Sequence, residues 1–184
     1  MVRVKGSMLV LLVKAIRADR SGRLLAAVPA EHREAVGGMI LPIRWYPFEL
    51  YQALQDTLVR VLAAGDMEIV RQWGRVTAED AMTTTYSAVL RQGDPIGTLA
   101  NYESFFRRFF EGTEFVVQPL GGDRALVRVA GFPPDWQPIY HVIRGWLEKT
   151  LELVGARGPQ VDFRARSWEG HAPTEYLVAA GGAR

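Results

Sequence analysis

Apolar positions from Pro138 onward recur at Ile139, Val142/Ile143, Trp146 and Leu153/Val154, with Thr150 filling the remaining turn. That spacing places one stripe of a helix on a core. Pro138 suits a first helical turn, Asp135 or Gln137 can cap it, and Gly155 with Gly158-Pro159 stops it. The period then changes to two. Val161, Phe163 and Ala165 alternate with Gln160, Asp162, Arg164 and Arg166, and after Gly170 and Pro173 the alternation resumes at Tyr176 and Val178. One charged face per strand predicts an antiparallel pair covered on one side, with the helix packed across it.

Earlier in the chain the 3.6 period dominates. Gly6 to Arg17 reads as a largely buried helix, ended by Arg20-Ser21-Gly22, and a short helix follows from Arg23 to Ala27. Gly37-Gly38 and Pro42 mark a loop. After Trp45-Tyr46-Pro47, a long helix presents Phe48, Tyr51, Leu54, Leu58 and Val61/Leu62, closed by Gly65. Asp66 can cap a helix through Val70 and Trp73. Gly74 interrupts its pattern, marking a close backbone approach or a kink, and a weak capping box at Thr77/Asp80 carries it on to Leu90. Asp94-Pro95 starts a further helix bearing Leu99, Tyr102, Phe105/Phe106 and Phe109/Phe110, ended by Gly112.

Strand-like Glu114–Gln118, a turn at Gly121-Gly122-Asp123 and alternating Ala125, Val127 and Val129 predict a hairpin before Pro133-Pro134. The order is therefore helices, hairpin, helix, hairpin. It predicts a helix-rich α+β fold over residues 1–184 as a single domain, with one four-stranded antiparallel sheet made of two hairpins separated by a helix.

Composition narrows the classes. The 184 residues are 48 % hydrophobic and 23 % charged, ordinary for a globular protein with a sizeable core. A net charge of +2 with scattered arginines argues against nucleic acid as a partner. Basic residues do gather at Arg3, Lys5, Lys14, Arg17, Arg20 and Arg23 and at Arg107-Arg108. The absence of cysteine excludes disulfides and thiolate metal sites and fits a cytoplasmic location. The apolar run Met8–Val13 is too short to span a membrane and lacks a signal-peptide cleavage site.

Candidate chemistry is sparse. His32, His141 and His171 lie far apart, without metal-ligand spacing, so no metal and no cofactor is expected; a lone helical histidine does not make a haem site. His171 lies between Glu169 and Glu175, where solvated loop side chains are the simpler reading. Ser7, Ser21, Ser87, Ser104 and Ser167 lack a nucleophile context. The pairs Gly37-Gly38, Gly121-Gly122 and Gly181-Gly182 match no nucleotide fingerprint. No catalytic residue is assigned, and a non-enzymatic role is expected.

Aromatic residues are the excess. Tyr102, Phe105, Phe106, Phe109 and Phe110 fall within nine residues and spread over too wide an arc for one stripe. Tyr102, Phe106 and Phe109 are expected to face Trp136 and Tyr140 around an apolar cavity, with His141 as a hydrogen-bonding neighbour. An apolar edge through Leu50 and Val59 is expected to stay exposed and to form a homodimer seam.

Three stretches carry a family resemblance: Val4-Lys-Gly-Ser-Met8 before an apolar helix; Trp45-Tyr46-Pro47 with the later Gly74-Arg75; and Gly145-Trp146-Leu147-Glu148 with Gly170 and Glu175-Tyr176-Leu177-Val178. Together they resemble the vinyl-4-reductase-type (V4R) small-molecule-binding domain. It is related to the Bet-three-type subunits of TRAPP tethering complexes, and an uncharacterised myxobacterial paralogous family is nearest. The resemblance implies a dimerising domain that binds a hydrophobic small molecule or a protein partner. Its alternatives are a scaffold without exchangeable ligand and a tetrapyrrole-related enzyme. Sensor members carry a zinc-associated cysteine pair. The matching positions near Arg166 and Thr174 cannot supply thiolates, so zinc is not carried over.

Overall fold

Val4, fully buried, is the middle of a three-stranded antiparallel sheet in a computed structural model that describes residues 1–181. Gly182 of the terminal glycine pair lies outside the described residues. Strand β1 (Arg3–Lys5) is flanked by β2 (Trp45–Pro47) and β3 (Phe110–Glu111), with Val4 opposite both Tyr46 and Phe110. This sheet belongs to the first of two compact units, Met1–Met67 with Arg108–Gly112. The second comprises Glu68–Arg107 and the chain from Thr113 onward.

In the first unit, α1 (Gly6–Ala18) and the short α2 (Arg23–Ala27) fall where their periodicity puts them. Helix α3 (Ala30–Gly37) was not anticipated, because its apolar content is low; Val36 is its one buried residue. The long helix α4 (Phe48–Leu62) buries Phe48, Tyr51, Leu54 and Leu58 as expected. It also buries Leu50 and Val59, each 7 % exposed, which corrects the exposed dimer seam. Helix α2 packs on α4, and Arg60 of α4 donates to the carbonyl of Ala27 at 2.7 Å. The periodicity of α4 alone did not reveal that second neighbour.

The second unit follows the expected order closely. Helix α5 (Met67–Thr83) runs unbroken through Gly74 and stops at Thr83 rather than Leu90; a 3-10 turn covers Ser87–Val89. Helix α6 (Pro95–Phe106) has Pro95 in its first turn, and the Asp94 carboxylate accepts from the Gly97 amide at 2.8 Å. It ends at Phe106, so Phe109 and Phe110 leave the expected helix. The backbone there finds a strand partner instead: Lys5 N–H donates to the Phe109 carbonyl at 2.8 Å, and Phe110 pairs with Val4. Strands β4 (Glu114–Gly121) and β5 (Arg124–Ala130) form the first hairpin. Helix α7 (Pro138–Leu153) follows, then β6 (Gln160–Ala165) and β7 (Thr174–Ala179). The sheet order β4-β5-β7-β6 is antiparallel throughout, the four-stranded arrangement expected.

Candidate functional site

Register on this sheet aligns Val117, Val127, Tyr176 and Phe163 in one row across all four strands. The first half of α7 lies on the Phe163 end. The Tyr176 hydroxyl donates to the Tyr140 carbonyl at 2.8 Å, and the Phe163 and Tyr176 rings are 5.0 Å apart. Trp168, in a 3-10 turn after β6, meets Tyr140 at 5.4 Å, Phe163 at 5.2 Å and His141 at 5.8 Å. His141 also approaches Phe163 edge-on at 5.1 Å.

The same array continues toward α6. Phe132 stands edge-on to both Tyr140, at 6.2 Å, and Phe106, at 6.1 Å. Phe106 lies 4.8 Å and Tyr102 5.9 Å from Phe115 of β4. Tyr102 also shares a 2.5 Å hydrogen bond with the Thr150 hydroxyl, both side chains buried. Thus Phe106 reaches Tyr140 through Phe132. Trp136 is buried just ahead of α7. Phe109 belongs to the first unit, not to the segments that build this array. Sequence reasoning missed Phe115, Phe132, Phe163, Trp168 and Thr150. Strand alternation marks Phe115 and Phe163 as inward, but Phe132 and Trp168 sit in turns with no period to read.

The hydroxyls of Tyr102, Thr150, Ser167, Thr174 and Tyr176 are all hydrogen-bonded. Burial pushes the Tyr102 and Tyr176 phenols well above their ordinary range, so both stay protonated. His141 is pulled down to about 4, first by desolvation and then by Arg144 and Arg166, and its neutral imidazole prevails near neutral pH. Ser167 donates to the Pro134 carbonyl at 2.8 Å and accepts from Thr174, which leaves no paired base to activate it. Among the described residues no group of three or more His, Cys, Asp or Glu could hold a metal ion.

Beside the array, α5 crosses α7 through a double notch. A methyl on Gly74 would overlap the Val142 carbonyl, and one on Gly145 would overlap the Arg71 carbonyl. Glu148, almost wholly buried, pairs there with Arg71, with Arg144 at 3.2 Å and with Arg75 at 3.3 Å. Arg75 bonds Glu152 at 2.9 Å, and the Trp146 indole donates to Thr77 at 2.9 Å. These groups neutralise one another across two helices, the arrangement of a structural clamp.

Comparison with known proteins now decides the family. A family model described as "Protein of unknown function (DUF2378)" matches residues 11–179. The chain belongs to that family. No curated protein matches it by sequence. Among solved structures, an H-NOX protein from S. oneidensis aligns with a TM-score of 0.71 at 10 % identity, covering 98 % of this chain and 97 % of that one. The Fe(II) unliganded H-NOX protein from K. algicida gives 0.69 at 16 % identity, with 95 % of both chains covered. An oxygen-binding H-NOX domain related to soluble guanylate cyclases gives 0.63 at 14 % identity, covering 95 % and 94 %. This DUF2378 chain therefore has an H-NOX-like fold, which overturns the V4R and TRAPP assignment. The motifs behind that assignment fix a helix followed by a hairpin, a local unit many α+β folds share. They include Val4 and Tyr46, but nothing in them reveals that these residues pair with each other and with Phe110 in a sheet.

Proposed function

We propose that this protein is a non-enzymatic small-molecule-binding or interaction module, built on an H-NOX-like fold and working without haem. The observation that carries this reading is the aromatic array from Tyr102 to Trp168. It is largely apolar, the hydroxyls of Tyr102, Tyr176 and Ser167 are bonded within the fold, and Ser167 has no base beside it. The likeness to H-NOX structures supports a sensory role at the level of fold.

H-NOX structures of this fold include one of haem distortion and one of an oxygen complex, so the donor set matters. Haem iron takes a histidine (alone or together with methionine), a cysteinate or a tyrosinate ligand. Cysteine is absent. The His141 ring is engaged by Phe163 and Trp168, and His171 is exposed in the β6–β7 connection. His32 is half-buried on α3, beside the acidic residue Glu31. Burial keeps the Tyr51, Tyr102 and Tyr176 phenols protonated, which disfavours a tyrosinate. These residues do not fit a haem.

An apolar ligand would instead contact Tyr102, Phe106, Trp136 and Tyr140, with His141 at the edge, and would enter by displacing Phe132, the ring that bridges Phe106 and Tyr140. Native mass spectrometry beside the denatured mass, together with haem titration followed by absorption, tests both parts. The expected result is a non-covalent mass lost on denaturation and no saturable Soret band. A one-to-one Soret band that disappears in His141→Ala would overturn the haem-free reading. A ligand-free species that binds no apolar probe would leave only an interaction scaffold.

A further inference from the structure

Three exposed apolar residues of the first unit fall within one turn. Met39 and Ile43 are each 83 % exposed and Leu41 is 43 % exposed, all between α3 and β2. The start of the turn, Gly37 to Ile40, forms one wall of an open groove of about 450 Å³, whose other wall is Val10, Val13, Lys14 and Arg17 of α1. Contiguous exposed apolar surface of this kind marks a binding face.

Much of its backbone is hydrogen-bonded within the fold. Gly38 N–H donates to the Glu34 carbonyl at 2.8 Å, and Arg17 caps the carbonyls of Val36 and Gly38. Leu41 N–H donates to the Tyr46 hydroxyl at 2.9 Å, and the Leu41 carbonyl accepts from Arg44 at 3.1 Å. The carbonyls of Pro42 and Arg44 accept from Ser7 and Gly6, and Pro42 has no N–H to satisfy. A turn tied down this way can enter an apolar phase without stranding these peptide groups. Trp45 and Tyr46, half-buried, follow directly, and such rings favour the headgroup level of a bilayer. The surroundings are basic: residues 1–44 hold eight Lys or Arg against three Asp or Glu, and Lys14, Arg17 and Arg44 border the turn.

We propose that the Gly38–Arg44 turn is a peripheral membrane-binding tip. Met39, Leu41 and Ile43 insert into the interfacial region of an anionic bilayer while Lys14, Arg17 and Arg44 meet its headgroups. No helix among the described residues is long and apolar enough to cross a membrane, so attachment is at the surface. Protruding side chains on a hydrogen-bonded turn, with aromatic rings at its base, favour a lipid interface over a helical protein partner. The inference does not depend on what the aromatic array holds.

Vesicle co-flotation of the full chain tests it, using phosphatidylcholine alone and mixed with phosphatidylglycerol. Expected is binding to the mixed vesicles that weakens with added salt. Ile43→Asp should lower partitioning about tenfold, and Met39→Asp with Ile43→Asp should abolish it. Lys14→Glu should weaken it further on anionic vesicles only. Because Met39 and Ile43 are solvent-exposed, the unfolding midpoint should not move. Absence of binding to anionic vesicles, or binding indifferent to these changes, overturns the proposal. So does a dimer by light scattering that Ile43→Asp dissolves while vesicles stay unbound, which would assign the tip to a second copy. An acidic helical peptide that binds the tip in place of vesicles would overturn it in favour of a protein partner.

Discussion

Gly145 in the second unit and Gly6 in the first serve the same geometric need, and the chain secures them in opposite ways. Each lets a backbone carbonyl approach where a Cβ would collide, Arg71 at Gly145 and Leu41 at Gly6. At the α5–α7 crossing the approach is reciprocal, since Gly74 admits Val142 in turn, and charge closes it: Glu148 lies among Arg71, Arg75 and Arg144. At Gly6 backbone groups, a tyrosine hydroxyl and the Arg17 guanidinium hold the turn, and its apolar side chains face water. The first device spends its polar groups inside the fold and offers nothing outward. The second uses mainly peptide groups, leaving the side chains of Met39, Leu41 and Ile43 available for something outside the chain.

The comparison breaks most visibly at Gly145. Valine there must drive α5 off α7, because the obstructing atoms are backbone and cannot rotate away. We expect a loss of about 3 kcal/mol, at the upper end for overpacking, measured by urea unfolding. A smaller loss follows Glu148→Ala, which leaves three guanidinium groups facing an emptied, nearly dry position. Breaking a fully buried pair costs about 3–5 kcal/mol, but these arginines keep one-fifth to one-quarter of their side-chain surface in water, so about 2 kcal/mol is expected. Glu148→Gln should recover part of that by retaining hydrogen bonds. If Glu148→Ala unfolds at the wild-type denaturant midpoint, the cluster is not a clamp.

How much of this was legible depended on whether a period existed to be read. Helix α7, the β6–β7 pair and the α6 cap were plain in the sequence because Pro138, the alternation around Phe163 and Asp94-Pro95 are local signals. Gly74 was marked as a close approach, but its reciprocal partner Gly145 lay inside a motif attributed to another family. Three-residue β1 and β2 and two-residue β3 are too short for any alternation, and their pairing joins residues forty or more positions apart. That same pairing withdrew Phe109 and Phe110 from the helix their spacing suggested. Of the candidate site residues, Tyr102, Phe106 and Tyr140 were found in one aromatic array, yet the ring that joins them, Phe132, follows a glycine in a turn and gives no pattern.

Gly6→Ala sharpens the contrast from the other side. Its methyl would meet the Leu41 carbonyl and, at 2.9 Å, the Tyr46 ring. The turn can swing away as the α5–α7 crossing cannot, so we expect about 1–2 kcal/mol of destabilisation. Its chief signature should be loss of vesicle binding, through displacement of Met39 and Ile43. Wild-type flotation with reduced stability would show that tip geometry does not govern attachment.

The smallest effect belongs to His141, and its sign is fixed by the array around it. Phe163 and Trp168 exclude water from the ring while Arg144 and Arg166 oppose its charge; Glu68 is the one opposing carboxylate among the named influences. The folded value of about 4 lies below the ordinary 6.5, so the unfolded chain binds the proton more readily between those values. Stability from this group is therefore complete above pH 6.5 and is lost as pH falls toward 4. The ring is only partly buried, which discounts the contribution to under about 1 kcal/mol. An NMR titration should keep the His141 imidazole neutral down to a midpoint near 4. His141→Phe should flatten this part of the stability profile while preserving the aromatic packing. A midpoint near 6.5 would mean that Trp168 does not shield the ring in solution. The α7 end of the array would then be open to water and poorly suited to an apolar ligand.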